Sequence, residues 1–268
     1  MHEEVRAYYN EHVNDEDHRL DEHPFEIPVL MYYAAKYLSP GDNIFDVACG
    51  TGRIAQQLMR KGYFVGLNDL SDENIRLVKE RLGTNRNLLF TERNDALESE
   101  GWKKKQWDAI LILGPMYHII SESEKVKMLK MAYDNLKAGG HVFASFMTRT
   151  GAMIYGLKNN PKGILYPDGA TLQWETGTDN RFVEGTEYFT HAHFVHPQEV
   201  DALITKAGLT PLHLAGVEGI FGERFELYHR LDDDLKKAWM DFVIKHTEDP
   251  HLLEHSKHLL SISQKPDD

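Results

Sequence analysis

The stretch Asn43-Ile-Phe-Asp-Val-Ala-Cys-Gly-Thr-Gly-Arg-Ile-Ala55 joins a short apolar strand to a helix through a glycine-rich turn. The strand part is continuously apolar around one acid, as expected for a strand buried on both faces. Gly50 and Gly52 allow sharp turns and let a ligand approach the backbone closely. The helix that follows directs its unpaired N–H groups toward the same point. The turn therefore predicts a ligand site at the end of this strand.

The glycine turn alone does not decide between cofactors. Gly50-x-Gly52-x-x-Ala55 also satisfies the dinucleotide-binding fingerprint, and Asp69 lies near the spacing expected for its ribose-binding acid. Tyr133-x-x-x-Lys137 even mimics a dehydrogenase dyad, although Tyr133 belongs to an apolar helix stripe and should be buried. An NAD(P)-dependent oxidoreductase is therefore one alternative function.

Apolar strands alternate with amphipathic helices along the chain. This alternation is typical of a parallel sheet covered on both faces, and ligands of such sheets bind beyond the carboxyl ends of the strands. Polar or glycine-rich groups follow four of these ends: Asp46 with the glycine turn, Asp69, Asn94 with Asp95, and the segment 114–118. We expect them to converge on one crevice.

Composition limits the class of protein. A chain of 268 residues that is 41% hydrophobic can bury one good-sized core. A formal net charge of -12 argues against nucleic acid as a partner. Neither a secretion signal nor an apolar stretch long enough to cross a bilayer is evident, so we expect a cytoplasmic protein with no membrane partner. The single cysteine, Cys49, predicts a small buried filler.

These motifs together resemble the class I S-adenosylmethionine-dependent methyltransferases over nearly the whole chain. The resemblance implies a three-layer Rossmann-like α/β fold, whose mostly parallel seven-stranded sheet has an antiparallel last strand and an inserted lid. It also implies S-adenosylmethionine as the cofactor. The matching segments are Asp46-Val-Ala-Cys-Gly-Thr-Gly52, Gly66-Leu-Asn-Asp-Leu-Ser71, Asn94-Asp-Ala96, Leu113-Gly-Pro-Met-Tyr-His118 and Lys137-Ala-Gly-Gly140.

In that family the glycine turn packs against the methionine part of the cofactor. The acid after the second strand binds the ribose hydroxyls, and the acid after the third meets the adenine edge. Ala48 replaces the family's first glycine, and Asn68 is an extra residue before Asp69, so either Asn68 or Asp69 could face the ribose. The resemblance implies cofactor contacts from Asp46, Ala48, Gly50, Thr51, Gly52, Asp69, Leu70, Asn94, Asp95, Ala96 and Leu113.

Two further side chains are candidates for the reaction itself. A general base helps methyl transfer only if the attacking atom carries a proton. His118 and Tyr117 are best placed to act as that base or to orient the acceptor, although Tyr117 could simply pack and His118 bond to backbone. The family's N-terminal helices commonly cover the cofactor, so the resemblance also implies cofactor contacts from Tyr9 and Arg19; a solvated tyrosine and a surface arginine are the alternative.

We expect one domain, 1–268, with three additions. They are an N-terminal helical cap over 1–40, a lid insertion over 148–196, where periodicity breaks and aromatic residues are frequent, and a late helical insertion over 228–250. His191, His193 and His196 could share a strand face, but no cysteine or clear carboxylate completes a set, so we predict no metal. His251, His255 and His258 have helical spacing and predict a solvated face.

The sequence therefore predicts a methyltransferase that moves a methyl group from S-adenosylmethionine to an N or O atom of a small-molecule acceptor. Besides the oxidoreductase, a catalytically silent S-adenosylmethionine-binding protein remains an alternative. An assay of methyl transfer would distinguish such a binding protein from an enzyme.

Overall fold

A computed structural model describes residues 2–165, 170–179 and 191–267. Its helices are α1 (His2–Glu11), α2 (Val13–Glu22), α3 (Glu26–Tyr37), α4 (Arg53–Arg60), α5 (Asp72–Leu82), α6 (Pro115–His118), α7 (Glu122–Asn135), α8 (Arg149–Asn159), α9 (Ala170–Thr176), α10 (Pro197–Lys206), α11 (Phe225–His229), α12 (Asp233–Lys245) and α13 (Pro250–Leu253). Its strands are β1 (Asn43–Asp46), β2 (Phe64–Asp69), β3 (Leu88–Arg93), β4 (Trp107–Ile112), β5 (Leu136–Met147), β6 (Thr178–Asp179), β7 (Ala192–His193), β8 (Thr210–Gly216) and β9 (His258–Gln264).

Seven of these strands form one sheet in the order β3-β2-β1-β4-β5-β9-β8. The first five are parallel, and β9 runs antiparallel between β5 and β8. The strand order reverses between β1 and β4, which is the point where open α/β sheets bind ligands. The predicted seven-stranded α/β sheet, with its antiparallel last strand, is confirmed.

Neighbouring strand residues point to opposite faces of the sheet. Because both sets are apolar, helices cover both faces. Ile44 joins a core with Tyr33, Leu58 and Val78, whereas Phe45 joins a second core on the other face. A sheet buried on both faces explains why its strands read as unbroken apolar runs. Among the described residues, no helix is long and apolar enough to cross a membrane.

One sequence expectation needs correction. Tyr133 is half-buried rather than buried, and the ammonium groups of Lys130 and Lys265 lie over its ring. Lys137 pairs with Asp108 at 2.6 Å, at the amino-terminal edge of the sheet, so the dehydrogenase-like pair lies away from the carboxyl ends of the strands.

The three predicted additions differ in the helices and strands that they contain. Helices α1 to α3 occupy the N-terminal segment, and α12 fills most of 228–250. The expected lid includes α8, α9 and the pair β6 and β7, while residues 166–169 and 180–190 lie outside the described residues.

Candidate active site

A cavity of about 210 Å³ lies at the carboxyl ends of β1, β2 and β4. One end of its wall comes from the glycine turn and the residues after β2 and β3. The other end comes from α1, α2, α6 and the start of β9. We refer to these, after the roles that the family resemblance implies, as the cofactor end and the acceptor end.

The two glycines of the turn have different tasks. Both have positive φ, +54° at Gly50 and +79° at Gly52, which favours glycine. A Cβ on Gly50 would meet no atom within 4 Å, and Gly50 lines the cavity. A Cβ on Gly52 would lie 3.1 Å from the side chains of Val78 and Leu82, so Gly52 permits close packing of α4 against α5.

Asp69 connects the glycine turn to the end of β2. Its Oδ2 accepts the Gly50 backbone N–H at 2.8 Å, and its Oδ1 accepts the Ser71 N–H at 2.9 Å and the Asn74 amide at 3.1 Å. Burial raises the pKa of Asp69. Oδ2 makes only one of these bonds, and because a carboxylate oxygen has two lone pairs it can accept a further hydroxyl.

Asn68 has a structural task instead. Its side chain is fully buried, and its amide donates to the carbonyl oxygens of Val47 at 2.9 Å and Asn94 at 3.1 Å. These bonds hold the ends of β1, β2 and β3 together. Of the two neighbouring residues, it is Asp69 that lines the cavity.

Asp95 continues the cofactor end beyond β3. Its Oδ1 accepts the backbone N–H of Leu97 at 2.8 Å, which holds the carboxylate in a tight turn. Asp95, Ala96 and Leu97 line the cavity together. The wall here thus combines one carboxylate with apolar surface, as an adenine ring with an exocyclic amine requires.

The acceptor end is centred on a bond between two distant helices. The Tyr9 hydroxyl on α1 lies 2.9 Å from Nε2 of His118, at the end of α6. Nδ1 of His118 lies 3.4 Å from the carbonyl oxygen of His191, so Nδ1 is the protonated nitrogen and Nε2 accepts the Tyr9 hydroxyl. Burial lowers the pKa of His118 to about 4. The ring is therefore neutral at pH 7.

Charged side chains surround this pair. Arg19 on α2 contacts Glu26, and its Nε lies 3.1 Å from Glu16. Burial alone would raise the pKa of Glu26, but Arg19 and two nearby histidines lower it to about 2. Tyr117 is buried beside them, and burial raises its pKa above the usual range. The acceptor end therefore holds an ion pair whose carboxylate stays charged.

Comparisons with known proteins agree on one family. A model described as a methyltransferase domain matches residues 44–140. The ubiquinone biosynthesis O-methyltransferase of Xylella fastidiosa is 26% identical over 229 residues, which cover 85% of this chain and 83% of that one. The matched domain and this relative support the class I S-adenosylmethionine-dependent methyltransferase superfamily.

Solved structures agree with the fold of this methyltransferase. The N-methyltransferase NodS from Bradyrhizobium japonicum, in complex with S-adenosylhomocysteine, gives a TM-score of 0.61 at 14% identity, covering 98% of this chain and 99% of that one. A methyltransferase from Methanosarcina mazei gives 0.59 at 17% identity, covering 88% and 98%. S-adenosylmethionine is accordingly the cofactor.

Most of the predicted site residues of the methyltransferase line the cavity, and three do not. Asp46 is buried below the turn, where its Oδ1 lies 3.4 Å from the backbone N–H of Ala48. Gly52 faces α5, and the side chain of Asn94 bonds within its own turn. The predicted residues that do line it are Tyr9, Arg19, Ala48, Gly50, Thr51, Asp69, Leu70, Asp95, Ala96, Leu113, Tyr117 and His118.

Sequence reasoning missed Glu16, Glu26 and His258, all of which line the cavity. For the two glutamates, an available signal was their spacing of three and seven residues from Arg19 across one helix end. His258 was predicted to lie on a solvated helix face, but it is buried and begins β9. Cys49 lies in the wall, and burial raises the pKa of its thiol, consistent with a filler.

The three histidines considered for a metal do not meet. His191 lies 3.2 Å from Glu4, His193 lies 2.6 Å from the Lys125 ammonium, and His196 lies 2.6 Å from Glu254. Each contacts a different element.

The wall fits the charge of S-adenosylmethionine. Among the described residues it carries four carboxylates, on Glu16, Glu26, Asp69 and Asp95, and two guanidinium groups, on Arg19 and Arg53. The net negative charge suits a sulfonium cation, and Gly50 leaves room against the backbone. The cofactor supplies a methyl group on positively charged sulfur.

Proposed function

We propose that the chain methylates a hydroxyl or amine of a small molecule held at the acceptor end, and that Asp69 and Asp95 hold the cofactor's ribose and adenine. The observation that carries this proposal is the partly buried Tyr9–His118 pair, which is in the same cavity as the glycine turn. A hydrogen-bonded phenol and neutral imidazole can orient a nucleophile and accept its proton.

The low pKa of His118 limits which protons it can take. A hydroxyl that attacks while still protonated becomes a strongly acidic oxonium, so a weak base is sufficient. An amine becomes an ammonium, a much weaker acid, which can keep its proton until the product reaches solvent. In the proposed relay, the acceptor's proton passes to the Tyr9 oxygen while the Tyr9 proton passes to His118 Nε2. His118 then holds the proton until it reaches solvent. Burial serves the reaction by keeping water from the methyl group.

Three further features support a small acceptor. Side chains from α1, α2 and α6 line the cavity, and much of its wall is apolar, including Val5, Leu20 and Leu30. The relative from Xylella is named for O-methylation, and NodS is named as an N-methyltransferase.

None of the described residues in 148–196 lines the cavity. That segment supports it from behind, because Ala192 and Phe194 pack against Tyr117.

The test combines binding with turnover. S-adenosylmethionine or S-adenosylhomocysteine at one hundred times its dissociation constant should stabilise the fold by about 2.7 kcal/mol, a shift of several degrees in Tm. NAD and NADP should not. Methyl-labelled S-adenosylmethionine should then transfer label to members of a panel of phenols and amines. Binding without transfer to any phenol or amine would contradict the proposed reaction.

A further inference from the structure

Three metal-ligating side chains meet at the acceptor end from three parts of the chain. His23 follows α2, Glu218 follows β8, and His258 begins β9. One ligand atom from each lies within 4.8 Å of the other two. Two ligand atoms about 2.0–2.2 Å from one zinc ion lie at most about 4.4 Å apart. The separation is therefore close to what one ion requires.

Glu218 and His258 are already oriented toward one another. The Glu218 Oε1 lies 2.6 Å from Nδ1 of His258, and Oε2 accepts the His258 backbone N–H at 2.9 Å. Glu218 is 1% exposed and His258 is 8% exposed. Because both carboxylate oxygens are fixed by one residue, little conformational freedom remains to be lost on binding an ion.

His23, the third member of the cluster, has one ring nitrogen without a hydrogen-bond partner in the described part of the chain. Its Nδ1 is buried and has no hydrogen-bond partner among the described residues; the Glu26 carboxylate is 3.9 Å away. Buried polar atoms without partners are rare in folded proteins. A neutral imidazole is also the form that binds metals.

Glu218 is paired with a histidine rather than with a lysine or arginine. Arg19 pairs with Glu26, and Lys257 lies 3.2 Å from Glu223. No lysine or arginine among the described residues forms an ion pair with Glu218. A bound cation would offset this buried charge.

We propose that His23, Glu218 and His258 bind one divalent transition-metal ion. Two imidazoles and one carboxylate suit zinc and its neighbours rather than magnesium or calcium, which prefer oxygen ligands. His258 also lines the cavity, so the ion lies at its wall. If the proposed function holds, which this last step requires, an open coordination position would bind a hydroxyl acceptor and lower the pKa of its hydroxyl.

The test measures metal directly and does not depend on turnover. The full chain, freed of metal with a chelator, is titrated with cobalt(II) and zinc(II). We expect one ion per chain with a micromolar or tighter dissociation constant, a visible cobalt absorption band and a metal-dependent rise in Tm. His23→Leu should weaken binding by about 100-fold, since even the loss of an outer-shell partner costs about 10- to 100-fold.

The choice of variants separates ligation from folding. His23→Leu retains packing against Phe225, whose ring centroid is 4.1 Å from that of His23, and removes the unpaired nitrogen, so its Tm in chelator should equal or exceed that of the wild type. Glu218→Gln retains the hydrogen-bonding shape, loses the charge and should also weaken binding. His251→Leu, at an exposed position on α13, is the matched control and should bind as the wild type does.

Two results would overturn the metal site. One is a wild-type dissociation constant above about 100 μM; the other is equal affinity in His23→Leu, Glu218→Gln and wild type. Metal binding without methyl transfer to any hydroxyl acceptor would leave the site intact and remove only its link to the proposed function.

Discussion

The cofactor end and the acceptor end of the cavity are built in different ways. At the cofactor end, Asp69 and Asp95 each follow a strand and are held by nearby backbone N–H groups. At the acceptor end, Tyr9 and His118 are 109 residues apart and hold one another. The fixed end suits a cofactor shared by a superfamily, whereas the assembled end can change its acceptor by changing a few side chains.

The largest effect that would test this contrast is expected at Asp69. Asp69→Ala removes a carboxylate that we propose accepts the ribose hydroxyls, so S-adenosylhomocysteine should bind about 10- to 150-fold more weakly, equivalent to about 1.5–3 kcal/mol. Calorimetry measures this change. Asp134→Ala, at an exposed position on α7, is the control. Near wild-type affinity in Asp69→Ala would place ribose recognition elsewhere.

The next effect should appear at the acceptor end and spare the cofactor. His118→Gln retains an acceptor for the Tyr9 hydroxyl but removes the basic nitrogen, so kcat should fall about tenfold, or about 1.4 kcal/mol, while the affinity for S-adenosylhomocysteine stays within about twofold. Because the pKa of His118 is lowered to about 4, its contribution to kcat should be constant from pH 6 to 8 and be lost only toward pH 4. A parallel loss of cofactor affinity would show that the two ends are not separable.

A third prediction tests whether Asp46 affects the stability of the fold rather than contacting the cofactor. Burial raises the pKa of Asp46 from 3.8 to about 7. The folded protein therefore retains a proton that the unfolded chain releases, and the contribution of Asp46 to stability falls as pH rises from 3.8 through 7. At about 1.4 kcal/mol per pH unit, Asp46 can lower the free energy of unfolding by at most roughly 4 kcal/mol.

Asp46→Asn removes this penalty but must bury an additional amide donor, which offsets part of the gain. Its free energy of unfolding should exceed that of the wild type by about 1 kcal/mol at pH 8 and show no gain at pH 4. Denaturant titration at both pH values measures it. A gain that is independent of pH, or a cofactor affinity reduced more than about threefold, would indicate direct contact with the cofactor.

The smallest effect should come from the contact that joins the N-terminal helices to the cofactor end. Asp17 on α2 bonds Arg81 on α5 at 2.9 Å through both carboxylate oxygens, and Arg81 also bonds the Thr51 carbonyl in the glycine turn. Asp17→Asn should cost about 0.5 kcal/mol, seen as a roughly twofold weaker affinity for S-adenosylhomocysteine in low salt. Added salt should reduce the difference in S-adenosylhomocysteine affinity between the variant and the wild type. A difference in affinity that persists in high salt would argue against an ionic contact.

The cofactor end was predictable because its signals are local. A glycine turn or an acid that directly follows an apolar strand must lie at the carboxyl edge of a parallel sheet. Local sequence does not show which side of the backbone faces the ligand. This explains why Asp46, Gly52 and Asn94 were expected in the wall and are not there, and why only the structure distinguishes Asp69 from Asn68.

The acceptor end was only partly predictable because it depends on long-range contacts. Tyr9, Arg19 and His118 were proposed from a family resemblance, but no pattern in the sequence pairs Tyr9 with His118. The spacing of His251, His255 and His258 suggested a helix, yet α13 ends at Leu253 and the chain enters β9 at His258. The meeting of His23, Glu218 and His258 likewise requires the tertiary fold.

β9 is the last strand to be synthesised, yet in the finished sheet it lies between β5 and β8. Until it is made, β5 has an unpaired edge, and β8 has no partner in that sheet. Unpaired strand edges promote association with other chains. A nascent chain should therefore be most prone to aggregate in the interval before residues 258–264 emerge, and a chaperone that shields the β5 edge would improve its yield.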